Sequence, residues 1–246
     1  MRGSYDLVVP WLRSHAPNIG PVQSFVLHEC WPDGVEIVAQ DRRDLAPETS
    51  PLNLSDEDDG SMLRIVLRSM HRPRDFVPQI RRICDAFRLE EVEHVDVFIN
   101  SWWKPQDWLD IFGRARRVEH ADIGSKCASS FFDALAANCN RDHTTDLTPN
   151  DTPLLFPSLK VLELRVVDFY ERARDGGYLW ERIRDKLRLR RSIAPLKTLE
   201  MDSCRVHAEE VDELKGLVSH VSWDEKETGY GSTDDFISES EDDDDM

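Results

Sequence analysis

The sequence has no apolar run long enough to span a bilayer, and Met1-Arg2-Gly3-Ser4-Tyr5-Asp6 lacks the apolar stretch of a secretory leader. A cytoplasmic or nuclear protein that stays off membranes is therefore expected. Cysteines are few and scattered: Cys30, Cys84, Cys127, Cys139 and Cys204 contain no C-x-x-C pair, so neither a disulfide framework nor a zinc ligand set is signalled, and a reducing compartment fits. A phosphate-cradling Gly-rich loop, a G-x-S-x-G elbow and an H-E-x-x-H helix are all missing. No catalytic residue and no cofactor is assigned on that basis, and the chain is not expected to be an enzyme. Basic residues are outnumbered, 31 Lys and Arg against 48 Asp and Glu, for a net charge of -17. That balance argues against nucleic acid as a partner of the whole chain, because phosphate binding needs clustered cations.

What the chain does have is a hydrophobic fraction of 40% and one pattern that recurs along it. It is clearest in Leu159-x-x-Leu162-x-Leu164, the L-x-x-L-x-L signature of a leucine-rich-repeat strand. Weaker copies start at Val22, Met62, Val92, Val118, Leu196 and Val218. Apolar residues at helical spacing lie between them: Phe76, Ile80, Ile83 and Phe87; Trp108, Leu109, Ile111 and Phe112 after Pro105; Phe131, Phe132 and Leu135; Leu179, Trp180, Ile183 and Leu187; Val211, Leu214 and Leu217. A first helix over residues 5–15 carries Leu7, Val8, Trp11 and Leu12 on one face and ends before Pro17. Seven strands alternating with helices predict an α/β fold: an irregular leucine-rich-repeat-like solenoid over 5–224, parallel sheet on the concave side and helices outside.

The repeat length is uneven. Steps between central positions run from 22 residues (Leu199 to Val221) to 41 (Ala121 to Leu162), where standard repeats take about 20–29. Stretches 33–60 and 139–153 read as loops that absorb the excess. A doubly wound α/β domain produces similar alternation and stays open as an alternative. Residues 225–246 carry no periodicity and are expected to form a disordered acidic tail, in which Ser238-Glu239-Ser240-Glu241 suits an acid-directed kinase.

Residues 155–164, the Asp168-Phe169 pair, the Arg-rich helix before Ala194-Pro195-Leu196-Lys197-Thr198-Leu199, and the closing Val221-Ser222-Trp223-Asp224 together resemble the C-terminal repeats of mushroom-type fungal F-box and leucine-rich-repeat proteins. The likeness is clearest over 92–224. In that family the F-box would recruit a ubiquitin-ligase adaptor and the repeats would hold the substrate. No F-box-like segment precedes the repeats in this sequence, so the resemblance implies only the recognition half.

Residues between the inward leucines of such a strand point to the concave face. Counting the first apolar residue as one, the fifth position holds Asp96, Asp122, Glu163, Glu200 and Ser222, and the third holds His94, His120, Val161, Thr198 and His220. An acidic ladder on a wet face follows, suited to a basic segment of a partner protein, with solubility as the bland reading. Upstream, Val26, Arg64, Val66 and Arg68 change the character of that face. His94, Asp96, His120 and Asp122 have metal-binding side chains, but repetition of Val-Glu-His-x-Asp accounts for the cluster and no metal is expected. Trp102 and Trp103 sit where binding loops emerge and can anchor a partner; burial through Trp108 is the competing reading. The basic helix from Arg182 to Arg191 reads as a solvated outer face. The expectation is a monomeric recognition module. The contrasting class is an acidic, chaperone-like binder of basic proteins that works through its tail.

Overall fold

The computed structural model describes residues 5–15, 20–30, 34–41, 61–68, 76–100, 103–137, 139, 154–172 and 176–225. The expected tail beyond 225, the loop residues 42–60 and 140–153, and Trp102 lie outside them. The described residues form an α/β fold with an open, mostly parallel eight-stranded sheet and six helices. The strands are β1 (Ser24–Cys30), β2 (Gly34–Gln40), β3 (Ser61–Arg68), β4 (His94–Phe98), β5 (His120–Gly124), β6 (Val161–Arg165), β7 (Thr198–Asp202) and β8 (His220–Trp223). The helices are α1 (Tyr5–His15), α2 (Val77–Cys84), α3 (Pro105–Phe112), α4 (Ala128–Leu135), α5 (Leu179–Arg190) and α6 (Ala208–Lys215). Sheet order is β3-β2-β1-β4-β5-β6-β7-β8, so β1 and β4 to β8 run parallel while β2 and β3 are antiparallel neighbours.

The repeated triplets become the inner face because β-strand side chains alternate sides. Position one (Val22, Val92, Val118, Leu159, Leu196, Val218) is buried in every parallel unit. Positions four and six pair across the sheet as Phe25, Val95, Ala121, Leu162, Leu199 and Val221, and as Leu27, Val97, Ile123, Leu164, Met201 and Trp223. One backbone contact sets this register. The carbonyl of Gln23 accepts N–H groups from both Glu93 and His94 (2.8 and 3.0 Å); Glu93 does the same for Glu119 and His120, Glu119 for Lys160 and Val161, and Lys160 for Lys197 and Thr198.

Against this face the helices lay an aromatic layer. Trp108 packs on Trp103, Phe112 and Phe131 at ring distances of 5.0, 5.8 and 5.1 Å, and Phe156 bridges Phe112 and Phe131 at 6.0 and 6.3 Å. The indole N–H of Trp108 donates to Ser130 Oγ at 3.0 Å, and Ser130 donates in turn to the Cys127 carbonyl, so the polar atoms in the layer are satisfied.

Two expectations are corrected at the N-terminal side. The stretch after Asp33 is not all loop: Val35, Ile37 and Ala39 alternate inward and build β2. The Met62 triplet forms a strand, but it pairs antiparallel with β2 at the sheet edge instead of lying between β1 and β4. Only three residues separate β1 from β2, too few for the crossover of a dozen or more that a parallel return needs, so β2 comes back antiparallel and takes the place beside β1. In α1, Leu12 is buried but Trp11 is 49% exposed, stacked on His15 at 4.6 Å.

Arg190 corrects the reading of α5 as a wholly solvated basic face, for it is 1% exposed. Its guanidinium donates to the carbonyls of Leu135 (3.3 Å), Leu155 (3.1 Å) and Phe156, capping the end of α4 and holding the turn where Phe156 adopts φ 46°. Burial pulls its pKa down to about 10, so it stays charged at neutral pH. Replacing it removes three charge-assisted hydrogen bonds from buried carbonyls. Arg190→Met is expected to lower the unfolding free energy by about 3 kcal/mol in urea titrations, and Arg190→Lys, which lacks the planar fork, to recover less than half of that.

Candidate functional site

The face opposite the helices carries the third, fifth and seventh positions of each parallel strand. In register, Ser24, His94, His120, Val161, Thr198 and His220 form one row, and Val26, Asp96, Asp122, Glu163, Glu200 and Ser222 the next. His28, Phe98, Gly124, Arg165 and Asp202 form the third. The predicted residues His94, Asp96, His120, Asp122, Glu163 and Glu200 therefore share one face.

The ladder is not uniformly wet. Asp96 and Asp122 are 8% and 6% exposed, which overturns the expectation of screened carboxylates standing in water. Arg165 is the cause. From β6 it donates through Nε to Asp122 Oδ1 at 2.8 Å and reaches past β5 to Asp96 Oδ2 at 3.0 Å. His28 Nε2 approaches Asp96 Oδ1 from the other side at 2.9 Å, in contact but poorly aligned for a strong hydrogen bond. The seventh position holds the device: His28 and Arg165 stand at the two ends of Phe98 and Gly124, and a Cβ on Gly124 would meet the Phe98 ring at 2.1 Å. Glycine gives that ring its seat.

Burial opposes charge on Asp96, but His28 and Arg165 outweigh it and hold the pKa below the usual carboxylate range. Asp122 has no histidine partner; burial, then the charge of Asp96, push it up to about 8. One arginine neutralises one carboxylate, and the pair keeps a proton as a unit. His94 stacks on His120 at 4.6 Å, and burial followed by the His120 charge lowers its pKa to about 4, so its ring is neutral at pH 7.

Beyond β5 the face opens. Glu163 and Glu200 are half-buried and Asp202, His220 and Ser222 exposed. Glu163 lies 3.9 Å from His120, while Glu200 and Asp202 form no ion pair among the described residues. On the β3 side Val66 is exposed and Arg64 pairs with Glu36. Trp103 is on neither row: it is buried against Trp108, as the competing reading held. No group of three or more metal-ligating side chains converges among the described residues. Of the remaining bases of α5, Arg182 and Lys186 share Asp133 (2.7 and 3.4 Å) and Arg184 faces Glu213 (3.6 Å), while Arg188 pairs with Asp185 of α5 itself (3.6 Å). Sequence reasoning missed Arg165 and His28; the signal was the seventh position, adjacent to the two rows that were counted.

The chain matches no protein-family profile, no curated protein and no solved structure.

Arg165→Met leaves two buried carboxylates without their cation and is expected to cost about 3–5 kcal/mol in urea unfolding at pH 7. The pH dependence has a definite sign. The raised Asp122 stabilises fully below the pH where an unfolded aspartate titrates and loses that contribution as pH rises toward 8; the lowered His94 stabilises above pH 6.5 and loses that as pH falls through 4. The two slopes oppose one another in the acid range, and from pH 6.5 to 8 only the first remains. Unfolding free energy should fall by up to about 2 kcal/mol over that interval, and Asp122→Asn should flatten the slope.

Proposed function

We propose that the chain is a protein-recognition module, an irregular leucine-rich-repeat-like solenoid whose bare sheet face over β6 to β8 holds a basic segment of a partner protein. Three features support the solenoid reading. The doubly accepting carbonyl recurs at the second position of four units. Val166, Ser203 and Glu225, all at the eighth position, take the left-handed conformation with φ of 56, 54 and 62°, so three successive units leave the sheet by the same turn. Cys204 at the ninth position reaches back to the Leu164 carbonyl at 3.3 Å.

The observation that carries the binding reading is one-sided burial. Parallel sheets are ordinarily covered on both faces, yet the helices of this sheet pack into the core on one side. On the other, Glu163, Glu200 and Asp202 stand on adjacent strands; Asp202 accepts the Ser203 hydroxyl at 3.3 Å, and neither it nor Glu200 meets a cation among the described residues. Carboxylates about 4.8 Å apart on neighbouring strands repel, and a cation bound between them relieves that repulsion. Asp96 and Asp122, neutralised by Arg165, set the scaffold for this stripe and do not belong to it. Such a module is comparable with the substrate-holding half of the fungal F-box and leucine-rich-repeat receptors, working as a monomer in the cytoplasm or nucleus.

Fluorescence anisotropy with labelled Arg-rich and Glu-rich peptides tests the assignment. The 246-residue chain should bind the Arg-rich peptide with an affinity that falls with salt, and Glu163→Lys with Glu200→Lys should weaken it about tenfold. Replacing Asp242, Asp243, Asp244 and Asp245 by Asn should leave it within about twofold. Equal affinity for both peptides, or loss on neutralising the tail alone, rejects the sheet face; the latter outcome selects the tail-borne chaperone activity instead.

A further inference from the structure

The outer edge of a sheet is a template for a further strand, because its outward N–H and C=O groups have no ladder to join. On β8, His220 and Asp224 turn their N–H groups inward, to the carbonyls of Lys197 (2.9 Å) and Met201 (3.3 Å). Direction alternates along a strand, so Ser219, Val221 and Trp223 turn theirs outward. The apolar side of β8 is incompletely covered as well. Val221 and Trp223 are half-buried, whereas the residues in the same two rows of β4 to β7 are at most 3% exposed. No helix follows β8 among the described residues, and one more strand would complete both the ladder and the apolar rows.

Charge on the open face sets the chemistry of that strand. On β4 to β6, Asp96 and Asp122 hold the fifth position of two strands, and Arg165, seventh on the third, reaches both, the farther across two strand spacings of about 10 Å in all. On β7 and β8 the arrangement recurs without its cation. Glu200 and Ser222 hold the fifth positions, Asp202 stands in the seventh row, and neither acid meets a cation among the described residues. Ser222 is small and exposed, which leaves the way from the edge to Glu200 open.

We propose that the basic segment binds as an added strand on the outer edge of β8, its residues alternately basic and apolar. The cations lie on the open face and reach across Ser222 to Glu200 and Asp202, as Arg165 reaches past β5 to Asp96. The apolar residues cover Val221 and Trp223. A segment laid flat across the face would meet the acids but leave the edge and the apolar rows open, so the edge is the better seat. This inference rests on the sheet-face reading and specifies it: the main chain of the partner is recognised together with its charge, and alternation supplies the specificity.

Fluorescence anisotropy with labelled peptides and the 246-residue chain tests it. The alternating peptide Arg-Val-Arg-Val-Arg-Val-Arg should bind about tenfold more tightly than Arg-Arg-Arg-Arg-Val-Val-Val, which has the same composition and charge. Backbone N-methylation of the one alternate set of residues whose N–H groups face β8 should weaken the alternating peptide about tenfold, and methylation of the complementary set should leave it within about twofold. Salt-dependent binding that Glu200→Lys weakens, with the alternating and block peptides equal and the two methylated sets alike, keeps the sheet face and overturns the added strand. No preference for either Arg peptide over a Glu-rich one rejects the face and the strand together. A chain that sediments as a dimer, and takes up the alternating peptide only on dissociating, gives the edge to a second copy and overturns the proposal as well.

Discussion

The second-position carbonyls of Gln23, Glu93, Glu119 and Lys160 each take two N–H groups from the chain entering the strand beside them, and on that contact the rest of the structure depends. It locks neighbouring units into one register, so a residue's place in its own repeat becomes a row across the sheet. Register cannot drift by one residue without turning Val95 and Val97 to the open face and Asp96 into the aromatic layer. Burial of the apolar rows, each large side chain worth roughly 2 kcal/mol, enforces that choice many times over. Uneven repeat length is tolerated for the same reason: residues added between units lie outside the register.

The same rule concentrates charge. Placing an acid at the fifth position of four consecutive strands lines up Asp96, Asp122, Glu163 and Glu200, and close packing of the first two strips water from their carboxylates. A fold that repeats itself therefore creates an electrostatic problem by repetition, which one side chain that breaks the repeat must relieve. Arg165 is that residue, at a position where the preceding strands carry Phe98 and Gly124. The ladder is thereby divided into a neutralised inner half and a free outer half.

Much of the fold was legible because it rests on apolar periodicity: the seven triplets fall on strands with the amphipathic helices between them, and only the Met62 strand takes another place and direction in the sheet. β2 was not, since its apolar residues fall in an interval without the six-residue template and the strand direction depends on a connection that periodicity does not encode. Of the candidate site, the shared face of His94, Asp96, His120, Asp122, Glu163 and Glu200 was readable from alternation alone. The burial of the two aspartates was not, because it depends on a side chain 43 residues from Asp122 in sequence reaching across a strand. Arg190 was unreadable for a related reason: its partners are carbonyls, which every residue has, so no sequence signal distinguishes a clamped arginine from a solvated one.

The two margins of the sheet are chemically unlike. At one, β2 runs antiparallel to β1, β3 antiparallel to β2, and the parallel array ends. At the other, Ser219 occupies the second position and, among the described residues, its carbonyl receives nothing, although Lys197 gives His220 that same bond at 2.9 Å. The assembly thus has a terminated side and a growing side, and a further unit, or a strand from outside, would find its first anchoring acceptor already in place beside β8.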